Sequence, residues 1–121
     1  MKYLRACFIA FLLLAVYGCA TQPQQCEVKH RNYEVLERAA PTYPRSAYEN
    51  DIEGWSIISV TITEKGKADD VKVIESNPEE VFDAVSIEAG YKMKFNPRII
   101  NCQPIPVYDV QYRHNFTLED E

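Results

Sequence analysis

Trp55-Ser56-Ile57-Ile58-Ser59-Val60-Thr61-Ile62-Thr63 is the stretch on which the fold turns. Its residues are mostly β-branched or aromatic, and alternation puts Ile58, Val60 and Ile62 on one face and Ile57, Ser59 and Thr61 on the other. It reads as a strand. Glu64-Lys65-Gly66-Lys67 then supplies a turn with glycine at a left-handed position, and Asp70-Val71-Lys72-Val73-Ile74-Glu75 a second strand, so the two make a β-hairpin. Ser76-Asn77-Pro78 ends it. Ser76 or Asn77 is expected to cap a helix opened by Pro78, Glu79 and Glu80, with the acids against the positive end of its dipole. Phe82, Val85, Ser86, Ala89 and Met93 fall on one face of that helix, which has the hairpin to lie on.

Upstream, Pro41-Thr42-Tyr43-Pro44 forces extended or turn backbone, because each proline fixes its own φ and pushes its predecessor out of the helical region. Pro44 is suited to the first turn of a short helix running to about Glu49, with Ala47 and Tyr48 inward. From Cys26 to Ala40 neither period wins, and the segment reads as extended or short helix. Downstream, Phe95-Asn96-Pro97-Arg98 stops the helical pattern, and Ile99 to Pro106 reads as a loop containing Cys102. Val107 to Leu118 then alternates: Tyr108, Val110, Tyr112, His114, Phe116 and Leu118 point one way, Asp109, Gln111, Arg113, Asn115 and Thr117 the other. The expectation is an α+β domain of short helix, β-hairpin, helix and long C-terminal strand, a three-stranded antiparallel sheet with helices on one face.

Composition narrows the function. The 121 residues make one small domain at most, and 46% hydrophobic with 26% charged is ordinary for a globular chain. A net charge of -5 argues against nucleic acid, whose phosphates need a basic surface. With two histidines and no phosphate-cradling glycine loop, neither a cofactor nor a metal site is expected. Asp69-Asp70 flanks a turn and Glu79-Glu80 opens a helix, where acids are expected for structural reasons rather than as a catalytic pair. No nucleophile with a base can be assembled, so an enzyme is not expected. His114 reads as a core residue of the last strand and His30 as solvated.

Residues 1–18 read as a signal peptide: Lys2 and Arg5 start it, and the apolar run to Val16 is several residues too short to span a bilayer. Gly18-Cys19, with Val16 two places before the glycine, resembles the lipobox of bacterial lipoproteins, which implies a lipidated Cys19 as the mature N-terminus. Ala20-Thr21-Gln22 lacks the aspartate associated with inner-membrane retention, which favours the outer membrane. Removing Lys2 and Arg5 leaves 11 basic against 18 acidic residues, a net charge of -7. Cys7 leaves with the signal and Cys19 takes the lipid. Cys26 and Cys102 remain, in an oxidising compartment where a disulfide is the simplest pairing and two separately buried thiols the alternative. Residues 19–32 form a lipidated tether and residues 33–121 the domain.

Pro41-x-Tyr43-Pro44-x-x-Ala47, Glu53-Gly54, Gly66, Asp70-Val71-x-Val73-Ile74-x-Ser76, Phe82-Asp83-Ala84, Ile87, Phe95-x-Pro97, Val107 and Phe116 form an ordered set. Over about residues 33 to 118 it resembles the TonB C-terminal domain. The resemblance implies a periplasmic domain that grips the TonB box of outer-membrane receptors, with force supplied by an ExbB and ExbD motor. The chain departs from that pattern in having no proline-rich spacer, no histidine in residues 6–18, Met93 where the family often has tryptophan, and Asn101-Cys102 where it often has Asn-Gly. Energy transduction by this chain alone is thereby put in question.

Two functions follow as expectations. The first is a periplasmic module, associated with energy-coupled transport across the outer membrane, that recognises an extended peptide of an outer-membrane receptor or other envelope protein. The second is a structural or assembly lipoprotein that docks a folded envelope partner. For the first, the last strand has one expected neighbour and an open edge. Tyr108, Asp109, Val110, Gln111, Tyr112, Arg113, His114 and Asn115 are its candidate partner-binding residues, available to an added peptide or to the same strand of a second copy. Tyr43, Tyr48 and Tyr91 are further candidates for a partner surface, although aromatics at strand spacing are more often core.

Overall fold

The computed structural model describes residue 18 and residues 26–119. The expected signal peptide, apart from Gly18, and the expected lipidation site at Cys19 fall outside the described residues. The elements in chain order are β1 (Glu34–Glu37), α1 (Arg45–Glu49), β2 (Gly54–Ile62), β3 (Ala68–Asn77), α2 (Asp83–Tyr91), β4 (Lys94–Asn96), β5 (Arg98–Ile100), β6 (Gln103–Ile105) and β7 (Val107–Phe116). The fold is α+β, as the sequence led us to expect. Its main sheet is three-stranded and antiparallel in the order β3-β2-β7, joined by two small pairs, β1-β4 and β5-β6.

β2 is central because its alternation satisfies both sides of a sheet. Ile58, Val60 and Ile62 are fully buried and pack with Val71, Met93 and Phe95. The hairpin turns as its sequence demands: Gly66 has φ 76°, which a side chain would resist, and its carbonyl accepts a 2.9 Å hydrogen bond from Phe95 N. That bond ties the turn to β4. Met93 keeps an apolar plug in the core, at 1% exposure.

α2 lies across β2 and β3. Ser86, Ala89 and Gly90 are buried, and Phe82 and Met93 continue that face just beyond the helix ends. Gly90 permits close contact: a Cβ there would stand 2.6 Å from Val71 Cγ1 and 2.9 Å from Ile58 Cδ1. A second cluster closes the other end, where Phe82 stacks on Phe116 with ring centroids 4.1 Å apart and Tyr43 meets both edge-on. Ala47 brings α1 into that cluster.

Two sequence expectations are corrected, and one segment left open between extended and helical is resolved. α2 begins at Asp83, not at Pro78, because Glu80 takes φ 68°, outside the helical region, and Phe82 turns into the second cluster instead of continuing a helix. Ile99 to Pro106 is not a plain loop: β5 and β6 form a hairpin around Asn101 and Cys102, whose φ values of 49° and 67° are both left-handed, as a two-residue turn of this hand requires. The undecided segment before Ala40 contains β1, which adds to β4. Its side chains are exposed, so no burial pattern marked it.

Cys26 and Cys102 form a disulfide, with their Cα atoms 5.6 Å apart. Cys102 N donates to Lys29 O at 3.0 Å, and Arg31 exchanges backbone hydrogen bonds of 3.0 and 2.8 Å with Ile99. The segment after Cys26 is thereby laid along β5.

A candidate partner-binding edge

A strand that pairs on one side only leaves the backbone groups of its other side without ladder partners. The main sheet has two such strands, β3 and β7, and they differ. β3 is interrupted twice in its pairing with β2, between the partners of Ile57 and Ile58 and between those of Ser59 and Thr61. It also carries Asp69, Asp70, Lys72 and Glu75, with Asp70 at φ 46°. Bulges and charges of this kind spoil an edge for pairing.

β7 has one interruption, near its start. Val60 faces Val110 and Ile62 faces Val107, so three steps on β7 match two on β2. The extra residue is accommodated at Asp109, which takes φ 54°. From Val110 to Phe116 the pairing with β2 is unbroken, and among the described residues no strand pairs with the other side.

The bulge overturns the expectation that Tyr108 shares the inward face. With one residue inserted, Val107 packs on the core and Tyr108 is 67% exposed. Asp109 is exposed and accepts a 3.4 Å hydrogen bond from Ser59 Oγ. Beyond the bulge the alternation holds: Val110 and Tyr112 are half-buried against the main core, His114 is buried, and Gln111, Arg113 and Asn115 are exposed. The strand ends at Phe116, two residues before the expected Leu118, whose N–H instead donates to Glu53 Oε1 at 2.6 Å. Of the eight candidate residues, Val110 and His114 can therefore offer a partner little beyond their backbone, whereas Tyr108, Gln111, Arg113 and Asn115 offer side chains.

Two guanidinium groups flank this strand. Arg113 lies over the Trp55 ring at 4.5 Å from its centroid, and its Nε donates to Asn115 Oδ1 at 2.9 Å. Arg38 lies over the Tyr112 ring at 5.6 Å. Stacking on an aromatic face holds an arginine without neutralising it. Neither arginine forms an ion pair among the described residues. Arg38 could not have been found from the sequence, because only the pairing of β1 with β4 brings it to β7. Trp55 was visible as the start of a strand, but its role under Arg113 depends on the cross-strand register.

His114 is 7% exposed, with Nε2 buried and unpartnered among the described residues. Burial, and secondarily the charge of Arg38, holds its pKa below the ordinary 6.5. Burial likewise raises the Tyr112 hydroxyl above its usual value, Tyr33 adding to the effect and Arg38 opposing it. No group of three or more His, Cys, Asp or Glu able to hold a metal is found among the described residues, and none of their helices is long and apolar enough to cross a membrane.

Tyr43 lies within the second cluster and its hydroxyl donates to Ile52 O, whereas Tyr48 and Tyr91 present exposed rings, at 61% and 52%, so that Ala47 alone of the expected pair on α1 turns inward.

Comparison with known proteins adds the following. Residues 39–118 match the family described as Gram-negative bacterial TonB protein C-terminal. Over 64 residues, 53% of this chain, the sequence is 42% identical to the protein TonB of Pseudomonas aeruginosa, a match that spans 19% of that protein's length. The solution structure of the Pseudomonas aeruginosa TonB C-terminal domain superposes with a TM-score of 0.63 at 31% identity, covering 74% of this chain and 90% of that one. The TonB2 protein of Vibrio anguillarum superposes with a TM-score of 0.55 at 28% identity, covering 78% and 87%.

Proposed function

The chain belongs to the family of Gram-negative bacterial TonB protein C-terminal domains, and from that premise we propose that it is a periplasmic binding module, not an enzyme, associated with energy-coupled transport across the outer membrane. In this reading an extended peptide of an outer-membrane receptor or other envelope protein adds as a strand to β7. The observation that carries it is the unbulged, one-sided run from Val110 to Phe116, set against the twice-interrupted opposite edge. Main-chain hydrogen bonds supply affinity, while Tyr108, Gln111, Arg113 and Asn115 supply selectivity. The equivalent strand of a second copy could use the same edge. Residues 1–18 are proposed as a signal peptide, Cys19 as the acylated N-terminus, residues 19–32 as a tether and residues 33–121 as the binding domain, with the lipid held in the outer membrane.

The test is binding of extended peptides from the periplasmic segments of outer-membrane receptors, followed by NMR shift mapping on the labelled protein. Shifts confined to Tyr108 to Asn115 and the adjoining β2 backbone are expected. Gln111→Pro removes one N–H donor and is expected to abolish binding, with circular dichroism showing whether the sheet survives. Peptide shifts mapping to α2 or to the Tyr48 region, with β7 unaffected, would refute strand addition.

A further inference from the structure

The cations of this acidic chain are unevenly placed. The disulfide and the Arg31–Ile99 backbone pair hold residues 26–32 along the β5-β6 hairpin. Within residues 26–32 and 98–106 stand Lys29, Arg31 and Arg98 against one carboxylate, Glu27. Arg31 and Arg98 line a shallow cleft with His30, Asn32, Ile99 and Ile100. Arg31 is fixed there, its Nη2 donating to Pro97 O at 3.2 Å, and Asn101 N donates to His30 Nδ1 at 3.4 Å. Lys29 and Arg98 are exposed, and no ion pair among the described residues involves Lys29, Arg31 or Arg98. Ile100 stands among them 36% exposed.

We infer that this hairpin end is a membrane-docking face, which lays Lys29, Arg31 and Arg98 against anionic phospholipid headgroups while Ile100 meets the interface. The inference rests on the proposed acylation of Cys19. From Cys19 to Cys26 is seven residues, a reach of about 25 Å at roughly 3.5 Å each. Because Cys26 is tied to Cys102, that reach is measured to the hairpin tip itself. An acidic protein partner would satisfy the charges, but it would not explain why they surround the point at which the anchor enters. Cations near an anionic membrane each contribute attraction that salt screens.

The experiment uses the full, acylated chain purified from membranes, its mass first establishing the acyl groups. Hydrogen–deuterium exchange is followed in phosphatidylcholine vesicles with and without phosphatidylglycerol. Exchange in residues 98–105 is expected to slow only with phosphatidylglycerol and to recover at high salt. Lys29→Gln and Arg98→Gln are each expected to weaken that docking roughly fivefold. Unchanged exchange with phosphatidylglycerol in a chain of confirmed acyl mass would overturn the docking face and leave the anchor standing. A mass showing unmodified Cys19 would remove the anchor and the inference with it. Equal slowing without anionic lipid, or slowing by inorganic phosphate alone on the chain in neutral detergent, would also overturn it, the latter by marking a small-anion site.

Discussion

His114 brings an imidazole to the buried side of β7, where Nε2 finds no partner among the described residues and the charged form is disfavoured. Since the folded-state pKa lies below the ordinary 6.5, the neutral ring suits both states at higher pH. As pH falls through 6.5 the unfolded chain takes up the proton first, and stability declines until pH reaches the folded value. Lowering pH from about 7.5 to about 5.5, the interval around the ordinary histidine value, should therefore lower the melting temperature. His114→Gln should flatten that slope, and an identical slope in the variant and the unaltered protein would refute the assignment. The periodicity of Val107 to Leu118 placed His114 in the core correctly and Tyr108 incorrectly, because the bulge at Asp109 is a property of the pairing with β2 and not of β7 alone. A second residue-scale test concerns Ser56 and Ser86, both fully buried and joined by a 2.6 Å hydrogen bond. Ser86→Ala should cost about 1–3 kcal/mol by leaving the Ser56 hydroxyl unpaired. In chemical denaturation the double alanine variant should lose less than the sum of the singles, and strict additivity would show that the pair is not coupled.

Among the elements, α2 shows where periodicity is trustworthy and where it fails. The face of Phe82, Val85, Ser86, Ala89 and Met93 was legible because burial imposes a helical repeat, whereas the start of the helix was not. Pro78, Glu79 and Glu80 make an acceptable first turn locally, but Phe82 gains more by stacking on Phe116, a residue 34 positions away. Gly90 tests the helix–sheet contact. Gly90→Ala should gain about 1 kcal/mol in helix propensity. It should lose about 1–3 kcal/mol to the overlap of its Cβ with Val71 and Ile58. A net loss of stability is expected in urea unfolding, and a stabilised variant would mean that the helix can lift from β3 without cost. The β5-β6 hairpin was missed because three-residue strands show no period, and its Asn-Cys turn lacks the glycine that usually signals one.

Across the whole molecule, the Cys26–Cys102 disulfide closes a loop of 76 residue steps around nearly all of the domain. A loop of that length stabilises by roughly 4 kcal/mol on the chain-entropy model. Reductant should lower the melting temperature accordingly and should free residues 26–31 from β5, seen as faster amide exchange at Ile99. Alkylation of both thiols in the native, unreduced protein would exclude the bridge. What the sequence determined by itself was whatever short-range chemistry controls: the β2 strand through its β-branched alternation, the turn through Gly66, the inward face of α2, and the ordered residue set that places the chain in its family. The tertiary structure alone decided the bulge that turns Tyr108 outward and the arrival of Arg38 beside Tyr112. It alone left β7 the edge with an unbroken run and β3 the edge interrupted twice. These features depend on register and on contacts between residues far apart in the chain, and a strand's own residues do not specify which neighbour it will have or where the pairing will slip.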